Sequence, residues 1–145
     1  MIVRSATVQD KDAIAKLLVQ LDYPVTEVLV AEKIPRLLTH PDALLLVADE
    51  GGEVQGFISL HFIPQLPLEG DFCRISYFCV GDGARSGGVG QRLEAAAVEA
   101  ATARNCDRIE VHCHARRTRA HDFYFRQGFE ESPKYLMKRL GPAAP

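Results

Sequence analysis

Apolar residues recur with helical spacing near the start of the chain. Thr7 and Asp10 stand ahead of them with the Ser/Thr-x-x-Asp/Glu spacing of a capping box, which predicts that a helix begins here. The apolar positions lie three or four residues apart and therefore share one helix face; they are Ile14, Leu17, Leu18 and Leu21. The pattern predicts a short strand over Ile2–Ser5 followed by a helix over residues 10–21.

The next segments predict one more helix and three strands. The helix covers residues 26–38, where Pro35 lacks a backbone donor and is expected to break or restart it. Two runs rich in β-forming residues flank Glu50-Gly51-Gly52, which indicates a hairpin. The loop 64–71 lets the chain reverse, so residues 72–80 are expected to form a third neighbouring strand.

The remaining pattern alternates helix and strand. A helix is predicted from Gly90 to about Arg104, then a strand over 108–114, a helix over 119–127 and a last strand over 135–140. The helix from Gly90 is expected to bury Leu93, Ala97, Ala100 and Ala101. The order βααβββαβαβ predicts an α/β fold, with a mixed central sheet and helices on both faces. Such sheets place ligands at the carboxyl ends of their strands.

Composition narrows the class of protein. The 145 residues are 47% apolar and 25% charged, which predicts a single domain over residues 1–140 with a frayed tail at 141–145. A net charge of -2 gives no basic excess for nucleic acid, and no apolar run is long enough to cross a membrane. The first residues lack a signal-peptide pattern and the four cysteines lack CxxC spacing, so a cytoplasmic protein is expected.

Glycines crowd the segment just before the helix at Gly90. Gly83, Gly87, Gly88 and Gly90 surround Arg85. The first N–H groups of a helix have no intrahelical partner and carry partial positive charge, and glycines let a phosphate approach them. A flexible surface loop is the plain alternative. The spacing fits neither the nucleoside-triphosphate loop nor the dinucleotide fingerprint.

A resemblance to one enzyme family connects these features. Residues 85–90 fit Arg/Gln-x-x-Gly-x-Gly/Ala, and here the chain resembles the GNAT acyltransferases (Gcn5-related N-acetyltransferases), whose coenzyme A diphosphate loop has this pattern. The capped first helix, the hairpin, the strand ISYFCV and the segment FYFRQGF occur in the family's order over essentially the whole chain. The segments RTRAHDFYFRQGF and SPKYLMKRL are most similar to the branch that includes aminoalkylphosphonate N-acetyltransferase.

The resemblance implies the GNAT acyl-CoA N-acyltransferase fold, acetyl-CoA as cosubstrate and no resident metal. Family strands before the loop bend away from the next strand and pair with the pantetheine arm, a role that implies contacts from Phe78, Cys79 and Val80. An amide near Cys79 or Val80 would also polarise the thioester carbonyl. The loop residues expected to bind coenzyme A are Arg85, Ser86, Gly87, Gly88, Val89, Gly90 and Gln91. Tyr124 matches the family's tyrosine beside the coenzyme sulfur, although a core aromatic is the alternative.

The sequence offers more than one candidate for the residue that accepts the proton of the amine. Many relatives carry a glutamate on the fourth strand, where this chain has Ile75-Ser76-Tyr77. His114 and His121 are the candidates because histidine titrates near neutrality, and Glu110 is a further one. His112 and His114 share a strand face, yet two ligands without a third do not make a metal site.

Charged segments complete the candidate site. Arg117, in a basic run with Arg116 and Arg119, is expected to touch coenzyme phosphate or an acidic substrate, and Asp71 and Glu69 are loop carboxylates that can pair with an ammonium. The resulting hypothesis is an N-acetyltransferase in which a small primary amine attacks acetyl-CoA directly. A non-catalytic or regulatory coenzyme A-binding domain is the first alternative and a nucleotide-binding module the second. Family habit implies a homodimer.

Overall fold

The computed structural model describes residues 1–84, 87–113, 117–131 and 135–141. Backbone contacts divide the chain into two units, Met1–Val111 and a second that begins at His112. Among the described residues, the first unit holds strands β1 to β5 and helices α1 to α3, and the second holds helix α4. Their bounds are β1 Ile2–Ser5, α1 Lys11–Gln20, α2 Glu27–Leu38, β2 Ala43–Glu50, β3 Glu53–Ile63, β4 Phe72–Val80, α3 Val89–Ala103, β5 Arg108–Val111 and α4 Thr118–Arg126.

The predicted capping box starts the first helical segment. The Asp10 carboxylate accepts the Thr7 amide at 2.8 Å, and a 3-10 turn, Val8–Asp10, leads into α1. Asp10 is buried, so its charge needs a partner; two bonds of 2.9 Å from Arg4 supply it. Arg4 also bonds Asp49 of β2 at 2.9 Å. These bonds fix the start of α1 to the edge of the sheet.

Pro35 does not break α2, contrary to the prediction. The helix is continuous from its N-cap Thr26, whose hydroxyl accepts the Leu29 amide at 3.2 Å, to Leu38. Only three helical residues follow Pro35, and the amide and hydroxyl of Thr39 both bond the Pro35 carbonyl. Buried Ile34 anchors this turn in the core. The missing donor at Pro35 costs the helix one bond near its end, where packing compensates for it.

The five strands form one mixed sheet in the order β1-β2-β3-β4-β5. The first three pairings are antiparallel, and β4 pairs with β5 in parallel. The parallel pair is joined by α3, as a crossover connection requires. This confirms the predicted α/β class and places the glycine-rich segment at the carboxyl end of β4.

Helices cover both faces of the sheet. On one face Val47, Phe57 and Cys79 pack in a cluster with residues of α1 and α2, such as Leu17 and Ile34. On the other face the backbone of β3 approaches α3 closely at Gly56. There an added Cβ would lie 3.2 Å from the side chains of both Val89 and Leu93 and 2.7 Å from the Cys79 carbonyl. Glycine is therefore what lets the helix and both strands pack this tightly.

The predicted last strand over residues 135–140 is wrong. The described part of this segment has no regular secondary structure, and its large apolar side chains Tyr135, Leu136, Met137 and Leu140 are exposed. Apolar alternation can predict a strand, but a strand exists only where its backbone groups pair with another segment. In the second unit the only helix of the described residues is α4, followed by Gly128 at a φ of 92°.

Candidate active site

The glycine-rich segment ends in a helix start that only glycine favours. Gly88 is the N-cap of α3 and has a φ of 77°, and the helix begins at Val89, one residue before the predicted start. Among the described residues outside its immediate neighbours, none has an atom within 4 Å of a Cβ built at Gly88, so none of them crowds this helix start. This geometry fits a coenzyme diphosphate, which needs bare amides and close approach. Arg85 and Ser86 lie outside the described residues.

The described pairing of β4 with β5 ends before β4 does, and the end of this pairing is called the fork. The pairs that the structure describes between these strands run from Phe72 with Arg108 to Ile75 with Val111. Strand β4 then continues to Val80, still paired with β3. From Ser76 to Val80, these last five residues of β4 span about 13 Å, because a strand rises about 3.3 Å per residue. Phe78, Cys79 and Val80 lie on this extension, between the fork and the glycine-rich segment; their proposed coenzyme contacts stay predictions.

A β-bulge marks the fork. Ser59 of β3 pairs with Tyr77 and Leu60 pairs with Ile75, so Ser76 is the extra residue of β4. The bulge turns the Ser76 hydroxyl toward β3, where Oγ lies 2.6 Å from Nδ1 of His61. Burial lowers the pKa of His61, and the charge of His40 lowers it further. His61 is therefore neutral at physiological pH and able to accept a proton.

His61 and Ser76 line an open pocket of about 360 Å³. It is lined by His40, Asp42, His61, Phe62, Ile63, Pro64, Arg74 and Ser76. Two of these lining residues are held by ion pairs: Arg74 with Glu110 at 3.3 Å, and Asp42 with Arg104 at 3.0 Å. Among the residues that the structure describes, Nε of Arg74 is a buried nitrogen with no hydrogen-bond partner.

The loop after β3 is held in place by polar contacts. The Gln65 amide nitrogen bonds the Gly70 carbonyl at 2.8 Å and the Asp107 carboxylate at 3.0 Å. The carbonyl of Asp71 accepts the Asp107 amide, while Glu69 is exposed. Glu110, the candidate base on β5, is engaged by Arg74, so it serves first as a charge partner.

The other sequence candidates belong to the second unit. Tyr124 of α4 is buried, and its ring packs edge-on against Phe123 and lies 5.2 Å from the Phe129 ring centroid. Burial raises the pKa of the Tyr124 phenol well above its usual range; Cys113 adds to the rise and Arg117 opposes it. His121 is half-buried one turn earlier on α4. Arg117 is the exposed N-cap of that helix.

A metal site at His112 and His114 would need a third ligand, and the described residues hold no group of three possible ligands. His112 stacks on Tyr135 with ring centroids 4.2 Å apart. His114 and Arg116 lie outside the described residues. Over 1–84, 87–113, 117–131 and 135–141, no three His, Cys, Asp or Glu side chains are grouped as metal ligands would be.

Glu94 and His61 were not among the residues predicted from the sequence. Glu94 lies on the buried side of α3 with Leu93, Ala97 and Ala101, whereas Ala100 is only half-buried. Burial raises the pKa of Glu94. Its place in the i, i+3, i+7 series with Ala97 and Ala101 was visible in the sequence, but a charge is normally assigned to the solvent face.

Comparisons with known proteins match the fold of this chain. A transcriptional regulator from Bacillus halodurans C-125 superposes with a TM-score of 0.88 at 24% identity, covering 96% of this chain and 99% of that one. A GNAT family acetyltransferase of Staphylococcus aureus has a TM-score of 0.81 at 22% identity, covering 96% and 98%. None of the curated proteins matches the chain.

A further similar structure was solved with a ligand. The aminoglycoside N-acetyltransferase AAC(6')-Iy in complex with CoA has a TM-score of 0.80 at 17% identity, covering 97% of this chain and 100% of that one. The fold is thus the GNAT acyl-CoA N-acyltransferase fold. The model of the acetyltransferase (GNAT) family matches residues 12–129, and the chain belongs to this family. It is an acyltransferase with acetyl-CoA as its cosubstrate. The described residues include no helix with the length and hydropathy of a membrane span.

Proposed function

We propose that the protein transfers the acetyl group of acetyl-CoA to the primary amine of a small molecule by direct attack. The observation that carries the proposal is the pairing of two features of the first unit. The helix α3 begins at a glycine that no described residue beyond its immediate neighbours crowds, and β4 extends past its parallel neighbour toward that helix start.

The coenzyme would lie along this extension. Its diphosphate would accept hydrogen bonds from the amides at Gly88, Val89 and Gly90, where the helix dipole favours an anion. The pantetheine arm would then follow β4 from Val80 toward the fork, which brings the thioester near Ser76. An amide of the extension, at Cys79 or Val80, would stabilise the oxyanion that forms when the amine attacks.

The acceptor would enter from the pocket beside the fork. A volume of about 360 Å³ accommodates a small molecule, and the Asp42 carboxylate, one oxygen of which is bonded to Arg104, would bind an ammonium group through its other oxygen. The guanidinium of Arg74, which lines the pocket and pairs with Glu110, would attract an oxygen anion of the same substrate. Aminophosphonates, amino acids and aminoglycosides each combine such groups.

Tyr124 is proposed to donate a hydrogen bond to the leaving sulfur. This role comes from the family resemblance. Its raised pKa keeps the phenol protonated at neutral pH, and a protonated phenol is the form that can donate. Arg117 is proposed to bind an anionic group of the coenzyme or the substrate. His121 is proposed to accept a proton.

Thiol release tests the proposed reaction. Purified protein is mixed with acetyl-CoA and a panel of small primary amines, and free CoA thiol is followed with time. We expect turnover with at least one amine and a fall of about 10-fold or more in kcat for Tyr124→Phe, with coenzyme affinity retained. Tyr135→Phe, an exposed tyrosine of the same unit, is the matched control and should keep the activity. Coenzyme binding without thiol release from any amine would instead support a non-catalytic coenzyme A-binding domain.

Three further expectations stay proposals. The family model runs across the boundary between the two units, which supports a single domain over residues 1–140. The homodimer is expected because it is common in the family. The cytoplasmic location is expected from the sequence. Sedimentation of the purified protein would test the first of these two.

A further inference from the structure

We propose that Ser76 and His61 form the proton relay that deprotonates the acceptor amine. This inference rests on the proposed function and supplies the proton acceptor that the chain lacks on its fourth strand. Ser76 would touch the amine, and His61 would act through Ser76 as the final acceptor.

The position of Ser76 is the first argument. It is the bulged residue of β4, directly after the last described pair between β4 and β5. An arm that follows β4 from the glycine-rich segment must end where the strands close up again, which is at Ile75. The bulge therefore places a hydroxyl where the thioester is expected, and it does so with a residue that the ladder to β3 does not use.

The contact between the two side chains is the second argument. Oγ of Ser76 and Nδ1 of His61 are 2.6 Å apart, which is a short hydrogen bond. With the proton of the neutral imidazole on Nε2, the serine hydroxyl donates to Nδ1, and its oxygen stays able to accept from an amine. This is the arrangement in which a nucleophile's proton reaches a histidine through a hydroxyl.

The surroundings favour a neutral His61. The groups that face it are His40 and Asp42 from the segment between α2 and β2, and Arg74 and Ser76 from β4. Asp42 is paired with Arg104, and Arg74 is paired with Glu110 of β5. Both nearby carboxylates are thus engaged by arginines, and burial together with His40 lowers the pKa of His61. Above that pKa the imidazole is neutral, and in the tautomer with its proton on Nε2 it can take up a proton at Nδ1.

The proton balance closes in one cycle. The ammonium form of the substrate gives one proton to Ser76 Oγ, while the serine proton moves to Nδ1 of His61. The neutral amine then attacks the acetyl carbon, the carbon–sulfur bond breaks, and the second proton of the nitrogen ends on the sulfur. His61 returns its proton to water through the open pocket, which restores the starting state.

Kinetics of four variants test the relay in the full-length protein. We expect His61→Gln and Ser76→Ala to lower kcat about 100-fold at pH 7, with the affinity for CoA changed less than 2-fold. The wild type should lose kcat/KM as pH falls through a pKa below about 6.5, and His61→Gln should lose that acidic limb. Ser76→Thr keeps a hydroxyl and should recover most of the activity. Ser59→Ala removes a buried hydroxyl from the neighbouring strand and is the control.

Each outcome has one meaning. Wild-type turnover that survives in folded His61→Gln, with an unchanged acidic limb, overturns the relay and leaves the acetyltransferase standing. Equal losses in Ser76→Ala and Ser76→Thr, both still folded and binding CoA, also overturn it because the hydroxyl would then not matter. A wild type that releases no thiol with any amine removes the proposed function and the relay with it.

Discussion

Glu94 brings a carboxyl group to the buried face of α3, close in sequence to the coenzyme-binding segment. The residue is 8% exposed, and burial raises the pKa of its carboxyl group. A carboxyl whose pKa is higher in the folded protein binds protons more tightly there than in the unfolded chain. It stabilises the fold below its unfolded pKa, and that stability is lost as pH rises through the folded pKa.

Glu94→Gln should therefore stabilise the protein at alkaline pH. We expect the free energy of unfolding in urea to rise by about 1 kcal/mol at pH 8, because a buried charge is replaced by a neutral group of similar shape. The gain should shrink toward zero as pH falls to about 4.5, where the glutamate is protonated. Glu99→Gln, on the exposed side of the same helix, should change stability little at either pH. A gain that does not vary with pH would contradict the assignment.

At the scale of single residues, the sequence predicted what depends on neighbours along the chain. The capping contact of Asp10 and the helix start at Gly88 follow from local spacing and from glycine's access to positive φ. The contact between His61 and Ser76 was out of reach, because it depends on the register of β3 against β4 and on one bulge. Alternation alone would have placed these two side chains without reference to each other.

At the scale of elements, β3, β4 and α3 meet at Gly56. An alanine methyl there would lie 2.7 Å from the Cys79 carbonyl oxygen, a distance that forces a backbone shift. We expect Gly56→Ala to lower the free energy of unfolding by about 1–3 kcal/mol, as overpacking does. Thermal and urea unfolding measure the change.

Gly83→Ala is the matched control for Gly56→Ala. A Cβ at Gly83 has no atom within 4 Å and its φ is not positive, so stability should stay within about 0.5 kcal/mol of the wild type. Equal stability of the two variants would mean that β3, β4 and α3 are not packed as tightly at this point as described.

Element prediction failed where tertiary structure decides. Pro35 was expected to break or restart α2, but the helix continues through it to Leu38, supported by the burial of Ile34 and the bonds from Thr39. Residues 135–140 have the apolar character of a strand, yet this described segment has no regular secondary structure. Propensity reports what a segment favours by itself, whereas pairing and burial depend on the rest of the chain.

At the scale of the whole molecule, the order of elements and the match to the GNAT family agree. That agreement comes from the topology, since a parallel strand pair joined by α3 brings the glycine-rich segment to the carboxyl end of β4. The acceptor is less constrained by the sequence, because the pocket proposed for it is assembled from three separate segments between His40 and Ser76. Only the folded chain brings those segments together.

Calorimetric titration with CoA tests the central claim, which is that the glycine-capped start of α3 binds the coenzyme diphosphate. We predict micromolar binding to the wild type and at least 10-fold weaker binding to Gly88→Val, with unfolding curves verifying that the variant is folded. Thr102→Ala, at the far end of the same helix, should bind as the wild type does. Unchanged affinity in a folded Gly88→Val, or no binding of CoA to the wild type, would contradict the account.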